Sequence, residues 1–397
     1  MAVAKMAVLR PLGEILLLGV MLASPLFLSA QSDTPPPTVD PPEDQSWWKA
    51  VTFNGCASFS YTHNTNHPVP LLNQFRVFDF NDDHPELDVA QFVVQHAVNA
   101  PRQFGFRINT IAGSAVPQVT ASRGMHIAQD FDIPELYLSY VAPLARGLRL
   151  DAGKFVTPFG YEVIGGYDGY NDNFSRGFIF GYGLPFTHTG LKASYSFSSR
   201  ISAAAFLTNG CDAVTRLNRG VTSIGQISAA TSKTTNLTFT FLHGPNKPRN
   251  GYDQSSLYEL VGSWKTLPKL TLAFDGLYAD EDHAAPNGSD AIWKGVAGYS
   301  KYSITHAFSL AFRGEIFTDS GGSRTGTSQT LHGFTLTPEY VLAVKASRVR
   351  HELRHFDGKF VVRIEVREDF SDQNTFRHGT GFTDHQFTTA GNVIYLF

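Results

Sequence analysis

The sequence predicts an all-β protein: a transmembrane antiparallel β-barrel with an even number of strands, about 16 within a range of 12–18. Three observations lead there. Apolar and polar residues alternate with period two in one segment after another. The polar face of these segments repeatedly carries charges of both signs at mid-segment. The chain is also poor in charge and rich in aromatic residues and glycine: 17% of its 397 residues are charged and 13% aromatic, with 35 Gly and 32 Phe. Average soluble domains carry about 25% charged residues, and the balance seen here favours strands and turns over helices.

The first segment reads as an export signal. Lys5 and Arg10 precede the apolar run ILLLGVMLASPLFLSA (15–30), which ends in small residues before Gln31. That is the layout of a cleaved signal peptide over 1–30. A membrane-anchor helix is the competing reading, but Pro25 interrupts the run and no stop-transfer pattern follows. Residues 31–46, QSDTPPPTVDPPEDQS, are Pro-rich and polar, as in an extended periplasmic linker. No second linker of that kind follows, so 47–397 is expected to form one domain. Beyond residue 30 no apolar stretch approaches the ~18 residues of a spanning helix.

Within that domain the strands announce themselves. In LTLAFDGLY (270–278), Leu270, Leu272, Phe274, Gly276 and Tyr278 share one face, and Thr271, Ala273, Asp275 and Leu277 the other. In FSLAFRGEI (308–316), Phe308, Leu310, Phe312 and Ile316 oppose Arg313 and Glu315. KFVVRIEVR (359–367) sets Phe360, Val362, Ile364 and Val366 against Arg363, Glu365 and Arg367. The stretches 135–141, 236–241 and 257–264 behave alike, and Gly/Asn/Asp-rich connections such as 243–254 and 319–328 separate them. A soluble sandwich or propeller also alternates, but its inward face is the apolar one. Charges facing a uniformly apolar and aromatic face fit lipid outside and a wet lumen inside. Only a closed barrel satisfies every backbone group in lipid. At roughly 20–25 residues per strand and loop, the domain accommodates about 16 strands. Finally NVIYLF (392–397) alternates Val393, Tyr395 and Phe397 to the last residue, as expected of a strand closing against the first.

Several function classes are disfavoured. A net charge of −3 gives no basic field for nucleic acid. Two cysteines, Cys56 and Cys211, provide neither a disulfide framework nor a cysteine zinc site, and whether they pair is left open. There is no phosphate-binding glycine loop and no G-x-S-x-G elbow. The expectation is a protein without cofactor that is not an enzyme. One string argues otherwise: HELRH (351–355) matches the H-E-x-x-H signature of zinc hydrolases. A zinc site would need a helix over about 344–357, with His351 and His355 on one face and a third ligand such as Glu365 or Glu368. Those two glutamates lie on or at the end of a strictly alternating strand, so a polar rim or strand extension accounts better for the string.

The remaining candidates concern a lumen. Arg149, Asp151, Glu259, Asp275, Arg313, Glu315, Arg363, Glu365 and Arg367 occupy the polar face and are expected to line the pore. They would solvate the wall, pair across strands and, with signs mixed, screen solutes weakly by charge. The segment 155–186, FVTPFGYEVIGGYDGYNDNFSRGFIFGYGLPF, is either an ordinary loop between strands or an inward fold that narrows the pore. Asp168, Asn171 and Asp172 within it could ligate calcium but lack the spacing of a defined calcium loop.

The chain resembles the OmpL-like β-barrel porins of bacterial outer membranes, the porin-2 type. The resemblance rests on LYLSYVAPLARGLRLDAGKFVTPFGYEVI (136–164), NFSRGFIFGYGLPFTHTGLKASY (173–195), FLTNGCD (206–212), WKGVAGYSKY (293–302), FSLAFRGEIFTDSGGSRTGTSQTL (308–331), FTLTPEY (334–340) and REDFSDQNTF (367–376). It implies an outer-membrane barrel that passes small hydrophilic solutes or ions by passive diffusion. It also implies insertion by the barrel-assembly machinery through the C-terminal strand, with Tyr395 and Phe397 as the assembly signal. Outer-membrane lipid and a homo-oligomer are the other partners implied. An adhesin or structural barrel is the second reading, and a zinc hydrolase using HELRH the third. One departure stands out: VLAVKASRVRHELRHFDGK (341–359) is longer and more basic than the short turn expected after LTPEY, which places the strand register there in question.

Overall fold

Alternation becomes strand wherever the outward residues are apolar and the inward ones polar or small. The computed structural model describes residues 47–116, 130–164, 171–344 and 358–397. The expected signal and linker (1–46), Asp168 and the HELRH stretch with His351 and His355 lie outside the described residues. After a 3₁₀ turn at Trp47–Ala50 come β1 (Val51–Asn64), β2 (Pro85–His96), β3 (Phe104–Ala112), β4 (Phe131–Ala142) and β5 (Leu148–Val156). Next are β6 (Thr187–Ser196), β7 (Ile201–Thr208), β8 (Thr222–Ala230), β9 (Thr235–Gly244) and β10 (Ser255–Leu267). The series continues with β11 (Leu270–Glu281), β12 (Ala291–Ser303), β13 (Phe308–Asp319), β14 (Gln329–Val344) and β15 (Gly358–Ser371). A small hairpin, β16 (Phe376–His378) and β17 (Gly381–Thr383), precedes β18 (His385–Leu396).

Sixteen of these strands, all but the β16–β17 hairpin, form a closed barrel in which chain neighbours pair and β18 bridges β15 and β1. Every pair is antiparallel, as predicted. The faces divide as the alternation requires. Leu138 (69% exposed), Val296 (62%) and Ile364 (63%) point outward, while Arg313 (0%) and Glu365 (2%) point inward. A wall of exposed leucine, isoleucine and phenylalanine around buried arginine and glutamate inverts a soluble core, and it is stable only with lipid outside. No helix among the described residues is long and apolar enough to cross a membrane.

Closure is made at the chain's last residue. The N–H of Phe397 donates to Gly55 O and the N–H of Gly55 to Phe397 O, both at 3.0 Å. Tyr395 packs against Phe360 at 4.8 Å between ring centroids. Its ring also covers Gly358, where a Cβ would come within 2.3 Å of it, so only glycine fits beneath this aromatic cover.

Connections differ between the rims. On the rim that holds the C-terminus they are mostly brief, as at 197–200, 231–234 and 268–269, whereas 65–84, 157–186 and 372–384 lie on the other. Short turns mark the periplasmic side and long loops the outside. Strands β14 and β15 keep register to their very ends, Val344 facing Gly358, so the long basic connection does not disturb the pairing that preceded it. Period two breaks elsewhere. Gly153 adopts φ +143°, and the break lets both Asp151 and Lys154 point inward although they are three residues apart. A register shift between Asn109 and Ile111 of β3, opposite β4, accompanies a similar spacing of Asp132 and Glu135, both buried.

Candidate functional site

The segment between β5 and β6 enters the barrel and is held there by the wall's charges. Its first turn passes through Gly160, whose φ of +96° suits glycine. The Gly160 N–H donates to both carboxylate oxygens of Glu259 on β10, at 3.0 and 2.8 Å. The Tyr161 N–H donates to Asp275 on β11 at 3.1 Å, and the Tyr161 ring lies 4.4 Å from that of Tyr299 on β12. Further along, Phe174 N–H and Ser175 N–H donate to the two oxygens of Glu365 on β15, at 2.7 and 3.0 Å. Phe178 N–H donates to Glu315 on β13 at 2.6 Å. A Cβ on Gly177 would fall 2.6 Å from Glu315 Oε2, so glycine is what allows this approach.

Arginines hold the segment's carbonyls as the carboxylates hold its amides. Arg313 on β13 donates to Ser175 O at 2.7 Å and pairs with Glu162 at 2.7 Å. Arg363 on β15 donates to Asn171 O at 2.6 Å, and Arg367 to Arg176 O at 2.7 Å. Within the segment Glu162 also accepts the Gly177 N–H at 2.7 Å. Arg176 donates to Phe174 O at 2.7 Å and stacks over Phe78 at 3.8 Å. Trp293 on β12 donates its indole N–H to Gly183 O at 3.0 Å, beside the π-helical turn Ile179–Gly183. Around these bonds Phe155, Phe159, Phe178 and Leu184 pack with inward residues of the wall, among them Phe206, Ile224, Leu257 and Phe317. A charge-assisted bond is roughly twice as strong as a neutral one in so dry a setting, so this lattice fixes the segment across the lumen.

Of the nine wall charges singled out from the sequence, Glu259, Asp275, Arg313, Glu315, Arg363, Glu365 and Arg367 therefore meet the segment and are buried. Arg149 and Asp151 sit elsewhere. Arg149 Nε donates to Asp151 Oδ1 at 2.8 Å, and its side chain stays 37% exposed. Lys192 on β6 reaches the other oxygen of Asp151 at 3.8 Å and is 31% exposed. Beside them the inward faces of β6, β7 and β8 present Ser194, Ser202, Gln226 and Ser228 around an open recess of about 280 Å³. The wall thus has an arc over β10–β15 whose charges grip the segment and, toward the short-turn ends of β6–β8, an open, hydroxyl-lined recess. Nearer the other rim β7 and β8 are covered as well, Phe206 and Ile224 clustering with Phe155 and Phe159 and Gln226 donating to Pro158 O at 2.8 Å.

Some participants were not read from the sequence. Lys192, the ion pair Arg107–Glu135 (2.7 Å) and the pair Lys154–Asp132 (3.2 Å) belong to the inner wall. Glu162 and Arg176 are among the few charges in an otherwise aromatic and glycine-rich run, and that scarcity was the available signal for buried partners. The calcium reading of the segment finds little support. Asp172 accepts from Lys301 Nζ at 2.8 Å, and the Asn171 amide is spent on both backbone groups of Val163, each at 2.8 Å.

Comparison with known proteins agrees with this architecture. The family model described as "Putative beta-barrel porin-2, OmpL-like" matches residues 50–397. Among solved structures, the outer membrane channel DcaP of Acinetobacter baumannii is similar at a TM-score of 0.55 and 9% identity, over 87% of this chain and 97% of that one. The anion-selective porin from Comamonas acidovorans is similar at 0.56 and 8% identity, over 87% and 99%. OmpT of Vibrio cholerae in its trimer form is similar at 0.52 and 12% identity, again over 87% and 99%. At such identities these structures speak for the fold alone. No curated protein sequence matches.

Proposed function

The chain belongs to the OmpL-like β-barrel porin-2 family of the bacterial outer membrane, and we propose that its inward segment 155–186 sets the size limit of a narrow pore for small hydrophilic solutes. As a porin it works by passive diffusion. The observation that carries the proposal is the lattice of wall carboxylates and arginines bonded to the segment's backbone at Gly160 and Tyr161 and again between Asn171 and Phe178. Backbone held by charged partners across a lumen is a fixed constriction, because releasing it would leave those charges buried without partners.

The wall charges then divide by role. Those of β10–β15 position the segment, and Arg149, Lys192 and Asp151 face the hydroxyl-lined recess, where passing ions meet them. Two cations to one carboxylate give a weak preference for anions. The family is one of porins, and the reading is accordingly of a channel rather than an enzyme. Tyr395 and Phe397 would be recognised by the assembly machinery at the strand that closes the barrel, and subunits would associate through the lipid-facing wall, as the trimer form of OmpT suggests by analogy. Planar-bilayer recording tests the reading. Discrete small conductance steps are expected from the folded protein, and a folded, heat-modifiable barrel that never conducts would refute it.

A further inference from the structure

A second site lies on the outer rim, away from the lumen. His63 ends β1 on the lipid-facing side, following Phe59 and Tyr61, which are 54% and 44% exposed. Asp82 and Asp83 immediately precede β2, and the Asp83 N–H donates to Thr62 O at 2.8 Å, which locks loop 65–84 against the strand end. One ring nitrogen of His63 and one carboxylate oxygen each of Asp82 and Asp83 lie within 4.8 Å of one another. The His67 ring stands 5.5 Å from that of His63.

The setting of Asp82 suits a cation. The residue is 0% exposed. Its Oδ1 accepts the Asn64 N–H at 2.7 Å, and its Oδ2 is buried with no hydrogen-bond partner. A carboxylate in that position is costly unless a positive charge meets it. Asp83 behaves in the opposite sense. His63 Nδ1 and Tyr61 Oη each approach its Oδ1 at 2.8 Å and hold it below the usual range.

We propose that His63, Asp82 and Asp83 form a binding site for a divalent metal ion, with zinc as the favoured occupant and His67 as the next available donor. One imidazole with two carboxylates suits zinc better than the all-oxygen sets preferred by calcium and magnesium. Binding is simple ligation: neutral His63 offers the lone pair of one ring nitrogen and keeps its N–H on the other, the carboxylates of Asp82 and Asp83 bind as anions, and no redox change is involved. The bound ion ties loop 65–84 to the end of β1 at the outer mouth.

Equilibrium dialysis of the detergent-folded full chain against zinc, read by elemental analysis, tests this. The wild type should hold about one zinc per chain. His63→Gln and Asp82→Asn should each bind at least about ten-fold more weakly, while heat-modifiability reports that both barrels are folded. His283→Gln, at a rim pair with Asp253, should bind as the wild type does. A His351→Gln/His355→Gln variant removes the HELRH ligands and should also retain the ion. Zinc lost from that double variant and kept by His63→Gln would overturn the proposal, as would a folded wild type that takes up no zinc.

Discussion

The gripping arc and the open recess of the inner wall come from the same sequence signal and do different things. On β10–β15 the seven inward charges singled out from the sequence each reach a backbone group of the segment, as Glu365 reaches Phe174 and Ser175. On β6–β8 the recess of about 280 Å³ is lined by Ser194, Ser202, Gln226 and Ser228, with Lys192 the charge these strands bring to it. A charge in a barrel lumen is therefore not in itself a selectivity element. Where a backbone segment lies against it, it is a clamp; where small hydroxyls surround it, solvent and solute can reach it. Burial separates the two cases: Arg313 has a fully buried side chain, whereas Lys192 keeps 31% exposure.

Substitutions can break that contrast at either end. The largest effect is expected from Arg313→Ala, which leaves Glu162 and Glu315 buried without their partner, at about 3–5 kcal/mol. The segment should loosen, so limited proteolysis should cut within 157–186 and the conductance step should grow. Glu365→Gln weakens two charge-assisted bonds to backbone amides. A loss of about 1.5–3 kcal/mol is expected, seen as a lower melting temperature and noisier open-channel current. Gly177→Ala drives a methyl into the Glu315 carboxylate and should cost about 1–3 kcal/mol without removing any charge, which separates fit from electrostatics.

Substitution at the recess should alter permeation at little cost to the fold. Lys192→Gln is expected to shift the reversal potential in a salt gradient toward cations, while losing the partly exposed pair with Asp151 costs no more than about 1 kcal/mol. The smallest effect concerns neither region. At the outer rim the hydrogen bond from Lys247 holds the partly buried Asp253 carboxyl below its usual range. A depressed folded-state pKa means that whatever stability the pair adds is present near neutral pH and disappears as pH falls through that lowered value. Lys247→Ala should leave conductance and, by any ordinary melt, stability unchanged.

Much of this fold was legible in the sequence, because strand alternation against lipid admits little ambiguity. Leu310, Phe312 and Ile316 could face only outward once Arg313 and Glu315 faced in. The closing strand was legible too, since Tyr395 and Phe397 continue the outward pattern to the chain's end. Legibility failed where the backbone departs from period two. Gly153, at φ +143°, puts Lys154 inside, and counting by twos from Asp151 misses it. The course of 155–186 was undecided for a different reason: glycine, tyrosine and phenylalanine read alike in a surface loop and in a lumen plug. What distinguishes them is the set of partners on β10–β15, far away in the chain, and local sequence carries no record of those except in the few charges of the run, such as Glu162, Asp172 and Arg176. The rim site at His63 was equally hidden, since Asp82 and Asp83 reach it only when loop 65–84 folds back on β1.

The contrast between arc and recess is tested most directly by single-channel conductance of the wild type beside Arg313→Ala, each shown to be folded by heat-modifiability. The account predicts small, uniform steps from the wild type and larger ones from Arg313→Ala, as the segment held by Glu259, Glu315 and Glu365 comes loose. Steps of the same size from a folded Arg313→Ala whose segment has become open to protease would contradict it, because the pore's limit would then lie elsewhere in the barrel.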